Sequence, residues 1–199
     1  MPHRKILVLS AVLSLSFLFV IQFNGCASSS SAVLLDDDFS SLDPQMVSAP
    51  VGPHTEYHYL PEAAPVGNWA VSCFTWEKPA QKAWWIECET DGNQVMAQRF
   101  ESREMLHTHP MVVTGDTLWT DYEVVVRWAL DSESEGRSGV VFRYRNDRCY
   151  YFFGFEGGQL VLMKVNHATD FHKPDEKIMA GEVFPRQQGK YYVAAIKVD

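Results

Sequence analysis

Between Trp119 and Phe155 the chain carries three strand-like runs in succession with turn residues between them, and this stretch restricts the fold more than any other. Across residues 120–130, Tyr122, Val124, Val126, Trp128 and Leu130 alternate with Glu123, Val125, Arg127 and Ala129, the two-residue period of a strand with one buried face. Residues 138–146 and 149–155 follow, rich in β-branched and aromatic side chains, with Asn146, Asp147 and Arg148 as a short polar hairpin turn.

The rest of the chain has the same character. Residues 33–39, 69–76, 84–90, 95–100, 159–165, 177–184 and 190–198 read as further strands, and Asp91-Gly92 and Gly157-Gly158 mark hairpins. Residues 101–109 hold one helical turn in this reading. Residues 40–65 have little periodicity, and Tyr57 and Tyr59 predict that this stretch packs over the domain. With no internal repeat and no long amphipathic helix, about eight to ten short strands predict an all-β, two-sheet antiparallel sandwich.

The N-terminus has the three parts of an export signal: His3, Arg4 and Lys5, then an apolar run over residues 6–21, then Asn24-Gly25-Cys26-Ala27 and four serines. The run is shorter than the ~20 residues that span a bilayer, so a permanent transmembrane helix is disfavoured. Residues 1–26 are therefore expected to be a signal peptide, 27–32 a Ser-rich tether and 33–199 one β-domain. Gly25-Cys26 also resembles the end of a bacterial lipobox, which implies lipidation at Cys26 and a membrane contact through that anchor alone. Ordinary cleavage near Ala27 or Ala32 is the alternative. At the other end, residues 190–198 alternate as a strand up to Asp199, which predicts an exposed sheet edge and a C-terminally truncated piece of a longer protein.

The net charge is −8, so binding to a phosphate backbone, which needs a basic face, is disfavoured. Of the cysteines beyond the signal, Cys73 and Cys88 lie on two strands expected to be neighbours and can pair; free buried thiols are the alternative, and Cys149 is left over in either case. His107 and His109 have an i, i+2 spacing, but no acidic partner follows and Pro110 predicts a turn, so no metal site or cofactor is expected. Glu133 and Glu135 lie in a loop that would not fix carboxylate geometry. No nucleophile elbow, P-loop or dinucleotide glycine pattern is present.

The succession DDDFS, GNWAV, DGNQV, LWTDYEVVVRW, SGVVFRYRNDRCYYFFGF, QLVLMKV and KYYVAAIKVD resembles the concanavalin A-like lectin/glucanase superfamily. Within it the chain is most similar to laminin G-like domains of the group named for 3-keto-disaccharide hydrolases. The resemblance implies a jelly-roll sandwich over roughly residues 33–199, with a ligand groove on its curved outer face. The glucanase E-x-D-x-x-E spacing, which sets two acids about one glycosidic bond, is absent.

Strand alternation places Glu123, Arg127, Arg143 and Arg145 opposite Val124, Val126, Phe142 and Tyr144, so that adjacent strands present them together. Arg143 matches the family's G-aliphatic-x-F-R position, and a guanidinium suits sugar hydroxyls and carboxylates. Tyr150 offers a hydroxyl or a stacking ring. Trp84 and Trp85 must point to opposite faces, so one of the two is free to stack on a sugar while the other joins the core. A solvated salt-bridge ladder is the plain alternative for the charged face. The expectation is an exported carbohydrate-binding domain with a glycan as partner. The alternatives are a glycoside hydrolase with Glu123 as acid or base, and a structural or adhesive domain without a small ligand.

Overall fold

In the computed structural model the described residues are 5–8, 32–47, 66–73, 82–100, 109–131, 136–168 and 174–199. Every regular element among them is a strand, in the order β1 (Lys5–Val8), β2 (Ala32–Asp36), β3 (Gln45–Val47), β4 (Ala70–Cys73), β5 (Trp84–Cys88), β6 (Gln94–Gln98) and β7 (Pro110–Val113). Then come β8 (Tyr122–Ala129), β9 (Ser138–Asn146), β10 (Cys149–Glu156), β11 (Gln159–Asn166), β12 (Asp175–Val183) and β13 (Tyr191–Val198). The expected all-β, mainly antiparallel chain is what is found, with its strands shared among four sheets ordered β13-β8-β1-β2, β12-β11-β10-β9, β3-β5-β6 and β4-β7.

The meander β9-β10-β11-β12 forms because each crossing is a tight hairpin. Asp147-Arg148 turns β9 into β10, and Gly157-Gly158, both with positive φ, turn β10 into β11. Gly139 and Gly154 face each other across the β9–β10 ladder. A Cβ on Gly139 would stand 2.6 Å from the Gly154 Cα and run into the Phe153 carbonyl, so the two backbones can approach only where both residues are glycine.

This hairpin is buried on both faces. Val140, Phe142 and Phe153 belong to a first core with Tyr122 and Val124 of β8, Ile86 of β5, Val71 of β4, and Ala194 and Val198 of β13. Val141, Tyr150 and Phe152 belong to a second core with Ala70, Met111, Val113, Val161, Met163 and Val165. Burying each such side chain contributes about 1.5–3 kcal/mol, so the doubly covered hairpin is the stable centre of the chain. Arg137 pins the second core from outside. Its guanidinium lies 5.5 Å from the Phe152 ring centroid and donates to Glu156 (2.7 Å) and to both oxygens of Glu176 (3.0 and 2.9 Å). These bonds hold the Arg137 charge on despite burial.

Several expectations need correction. Pro110 opens strand β7 instead of a turn; as the first residue of a strand it has no need of a ladder N–H at that end. β3 lies in the stretch that shows no periodicity, because three residues are too few to display one. Cys73 and Cys88 are not on neighbouring strands: β4 pairs with β7, whereas β5 pairs with β3 and β6, and Cys88 is an exposed free thiol. Apart from these corrections, the described part of residues 1–26 is Lys5–Val8, which runs as a strand parallel to both β2 and β8. Cys26, Tyr57, Tyr59, Trp76, Glu133, Glu135, His107 and the expected helical turn before His109 lie outside the described residues. Among the described residues β13 takes the outermost place in its sheet.

Candidate functional site

The charged residues singled out in the sequence divide between two sheets. β8 pairs with β13 and β1, and β9 pairs with β10, so Glu123 and Arg127 are not on a strand adjacent to Arg143 and Arg145. Alternation fixes which face a residue takes but not which strand lies beside it, and β8 and β9 belong to different sheets. A bulge alters the pattern further. Cys149 pairs with Asn146 but Tyr151 with Phe142, leaving Arg143, Tyr144 and Arg145 opposite Tyr150 alone. Arg143 takes φ 47°, and Tyr144 turns into the second core, where its hydroxyl lies 2.5 Å from Ser72 Oγ, while Phe142 stays with the first.

Glu123 is half-buried opposite Lys197 in the β8–β13 ladder and is not among the residues lining the cleft that borders Trp84 and Arg127. Tyr150 is 3 % exposed, so its ring is a core element and not a surface for a pyranose; burial pushes its hydroxyl up to about 12. Arg143 is exposed and its guanidinium reaches the backbone carbonyl of Asp199, while Arg145 is exposed near the end of β9.

The two tryptophans part as alternation requires. Trp84 packs against the first core, and Trp85, half-buried, takes the opposite face with the Arg99 guanidinium 5.6 Å from its ring centroid. Arg99 is also ion-paired with Glu87, two residues along from Trp85 and on its face.

One continuous cleft of about 1440 Å3 borders Trp84, Trp128, Glu87, Glu89, Asn93, Arg99, Arg127 and Tyr191, and reaches Arg143 and Arg145. Among its wall residues the indole N–H groups of Trp84 and Trp128 and the Arg137 Nε–H are closed off from solvent without a hydrogen-bond partner. On the rim, Arg127 Cζ lies 3.9 Å from the Tyr191 ring centroid. Tyr191 in turn donates its hydroxyl to Glu89 Oε1 at 2.7 Å, and Asn93 Nδ2 donates to Glu89 Oε2 at 2.7 Å. Burial, with the Glu89 carboxylate beside it, pushes the Tyr191 hydroxyl up to about 12. Gly92 at φ 89° closes the turn that brings Asn93 back onto Glu89.

Glu87, Glu89, Asn93, Arg99 and Tyr191 escape a reading confined to the central strands. The E-C-E-T-D-G-N run at the end of β5 contains the signal for the first three, since residues two apart share a face and Asp-Gly turns the chain back. Tyr191 carries no such mark, because its partner Glu89 is 102 residues away. Among the described residues no group of three or more His, Cys, Asp or Glu is placed to hold a metal ion. Comparison of the chain with protein-family models, with curated proteins and with solved structures finds no match.

Proposed function

We propose that this chain is an exported, carbohydrate-binding β-sandwich domain of the jelly-roll kind that holds a glycan in the cleft between Trp84, Trp128 and the Arg127 rim, in the service of polysaccharide recognition or degradation. The observation that carries the reading is the linked polar rim of the cleft, where Arg127 lies over the Tyr191 ring and both Tyr191 and Asn93 donate to Glu89, beside the wall residues Trp84 and Trp128. A pyranose has an apolar ring face that suits aromatic walls and edge hydroxyls that suit such a rim. The rim combines a donor, Arg127, an acceptor, Glu89, and two groups that do both, Asn93 and Tyr191, and so suits hydroxyls of either sense. The basic start and apolar run of residues 3–21 support a location outside the cytoplasm, where glycans are met.

A hydrolase reading is less well supported. It needs two carboxylates about one bond, with one kept protonated. In the cleft Glu87 is paired with Arg99, Glu89 accepts from Tyr191 and Asn93, and Glu123 lies elsewhere.

The test is titration calorimetry of the chain against a panel of neutral and acidic oligosaccharides, followed by Tyr191→Phe and Asn93→Ala with circular dichroism as a folding control. Each replacement removes a hydrogen-bonding group from the rim and leaves the cleft wall in place. The expected result is a roughly five- to tenfold loss of affinity in each variant, the worth of one hydrogen bond. A folded protein that binds none of the panel returns the chain to an adhesive or structural role.

A further inference from the structure

Resting on the glycan reading, we infer that the cleft selects sugars carrying a carboxylate, with Arg127 as the group that receives it. Among the described residues Arg127 differs from Arg99, Arg137 and Arg143 in having no ion pair or carbonyl contact, and from Arg145, which is also exposed at the cleft without an ion pair, in being held over an aromatic ring. Arg99 is paired with Glu87, Arg137 with Glu156 and Glu176, and Arg143 reaches the Asp199 carbonyl. Arg127 is exposed, borders the cleft, and among the described residues has no acidic side chain within ion-pair distance, in a chain of net charge −8 where acidic partners are plentiful.

Its position is nevertheless fixed. The guanidinium lies 3.9 Å from the Tyr191 centroid, the Tyr191 hydroxyl is tied to Glu89, and Glu89 is tied to Asn93 in the β5–β6 turn. A guanidinium carbon 3.9 Å above a ring centroid is at stacking distance, and a stacked guanidinium keeps its N–H edge, the edge that grips a carboxylate with two parallel hydrogen bonds, available for a ligand. A cation that is pre-oriented, unpaired and beside donors for hydroxyls is matched by a uronic acid residue within a glycan. A neutral sugar would meet the rim's hydroxyl-binding groups and leave this charge unanswered. The acidic remainder of the surface disfavours long polyanions, so a short or sparsely charged acidic glycan fits better than a dense one.

The experiment compares tetrameric oligogalacturonate, oligomannuronate and oligoguluronate with their carboxyl-reduced forms, which keep linkage and ring but lose the charge. Binding is measured for the wild-type chain, Arg127→Ala and Arg127→Lys at two salt concentrations. At least one acidic tetramer is expected to bind ten times or more tighter than its reduced form. Arg127→Ala should abolish that ratio, and Arg127→Lys should retain only a several-fold preference, because an ammonium cannot form the paired bonds. Equal binding of acidic and reduced forms, or a ratio unmoved by Arg127→Ala, overturns the inference and leaves the glycan cleft standing. Absence of binding by every tetramer, together with none from the neutral panel, removes both.

Discussion

The backbone N–H of Arg143 donates to the hydroxyl of Tyr122 across 2.9 Å, joining the bulge of β9 to the first residue of β8 in a different sheet. The bulge frees that N–H from the ladder, and Tyr122, only 8 % exposed, provides its acceptor. The bond therefore belongs to the backbone of Arg143 and not to its side chain. Tyr122→Phe should lower stability by about 1–2 kcal/mol, whereas Arg143→Ala, which retains the N–H, should stay within about 0.5 kcal/mol of wild type. Urea denaturation followed by tryptophan fluorescence measures both, and a Tyr122→Phe protein as stable as the parent would contradict the assignment.

A second expectation concerns the glycine pair at the centre of the hairpin. Any Cβ on Gly139 or Gly154 meets backbone atoms of the facing strand, which cannot step aside as a flexible side chain can. Gly139→Ala and Gly154→Ala should each cost about 2–3 kcal/mol or prevent accumulation of folded protein. Gly157→Ala provides a contrast: a Cβ there meets nothing within 4 Å, and only its φ of 55° is penalised, by about 1–2 kcal/mol. Equal midpoints for the three variants in guanidinium unfolding would refute the close-approach argument.

Tyrosine ionisation supplies a third. Tyr150 and Tyr191 have hydroxyls pushed from 10 up to about 12, chiefly by burial, so both remain protonated in the folded chain while the unfolded chain begins to lose protons near pH 10. The stability linked to these groups is complete below pH 10 and is lost as pH rises from about 10 to 12, where the folded state binds more protons than the unfolded. A spectrophotometric titration at neutral to alkaline pH should find late-titrating tyrosines that move to the ordinary range in denaturant. Tyr150→Phe should remove one of them and reduce the alkaline loss of stability. Titration of every tyrosine in one step near pH 10 in the folded protein would exclude the burial described for Tyr150.

What the sequence made legible was local. The β9–β10 hairpin, its polar turn and the opposite faces of Trp84 and Trp85 all follow from a two-residue period and turn chemistry, which act over a few positions. The partner of β8 was not legible. Nothing in the Tyr122–Ala129 pattern indicates that Tyr191–Val198, more than 60 residues away, lies beside it instead of β9. The candidate site suffers most from this, because a cleft gathers residues that are distant in the chain. Arg127 could be noticed as a charge on an alternating strand, but its platform Tyr191 and its anchor Glu89 meet only after β13 has docked. Tyr144 shows the reverse failure: alternation put it with Phe142, and a bulge that no periodicity announces sent it to the other core.

The position of β12 has a consequence for amide chemistry. All nine residues of Asp175–Val183 are exposed, and among the described residues β11 is the partner on one side, with a register shift that passes over Met179, so on either side of Met179 alternate amides bond inward while those between them point away from β11. Deuterium should therefore enter this strand in a staggered pattern of fast and slow positions whose phase breaks at Met179, while both sets stay protected in β10 between its two partners. Any molecule that lays a strand of its own along that free margin would slow the fast set and leave the other unchanged.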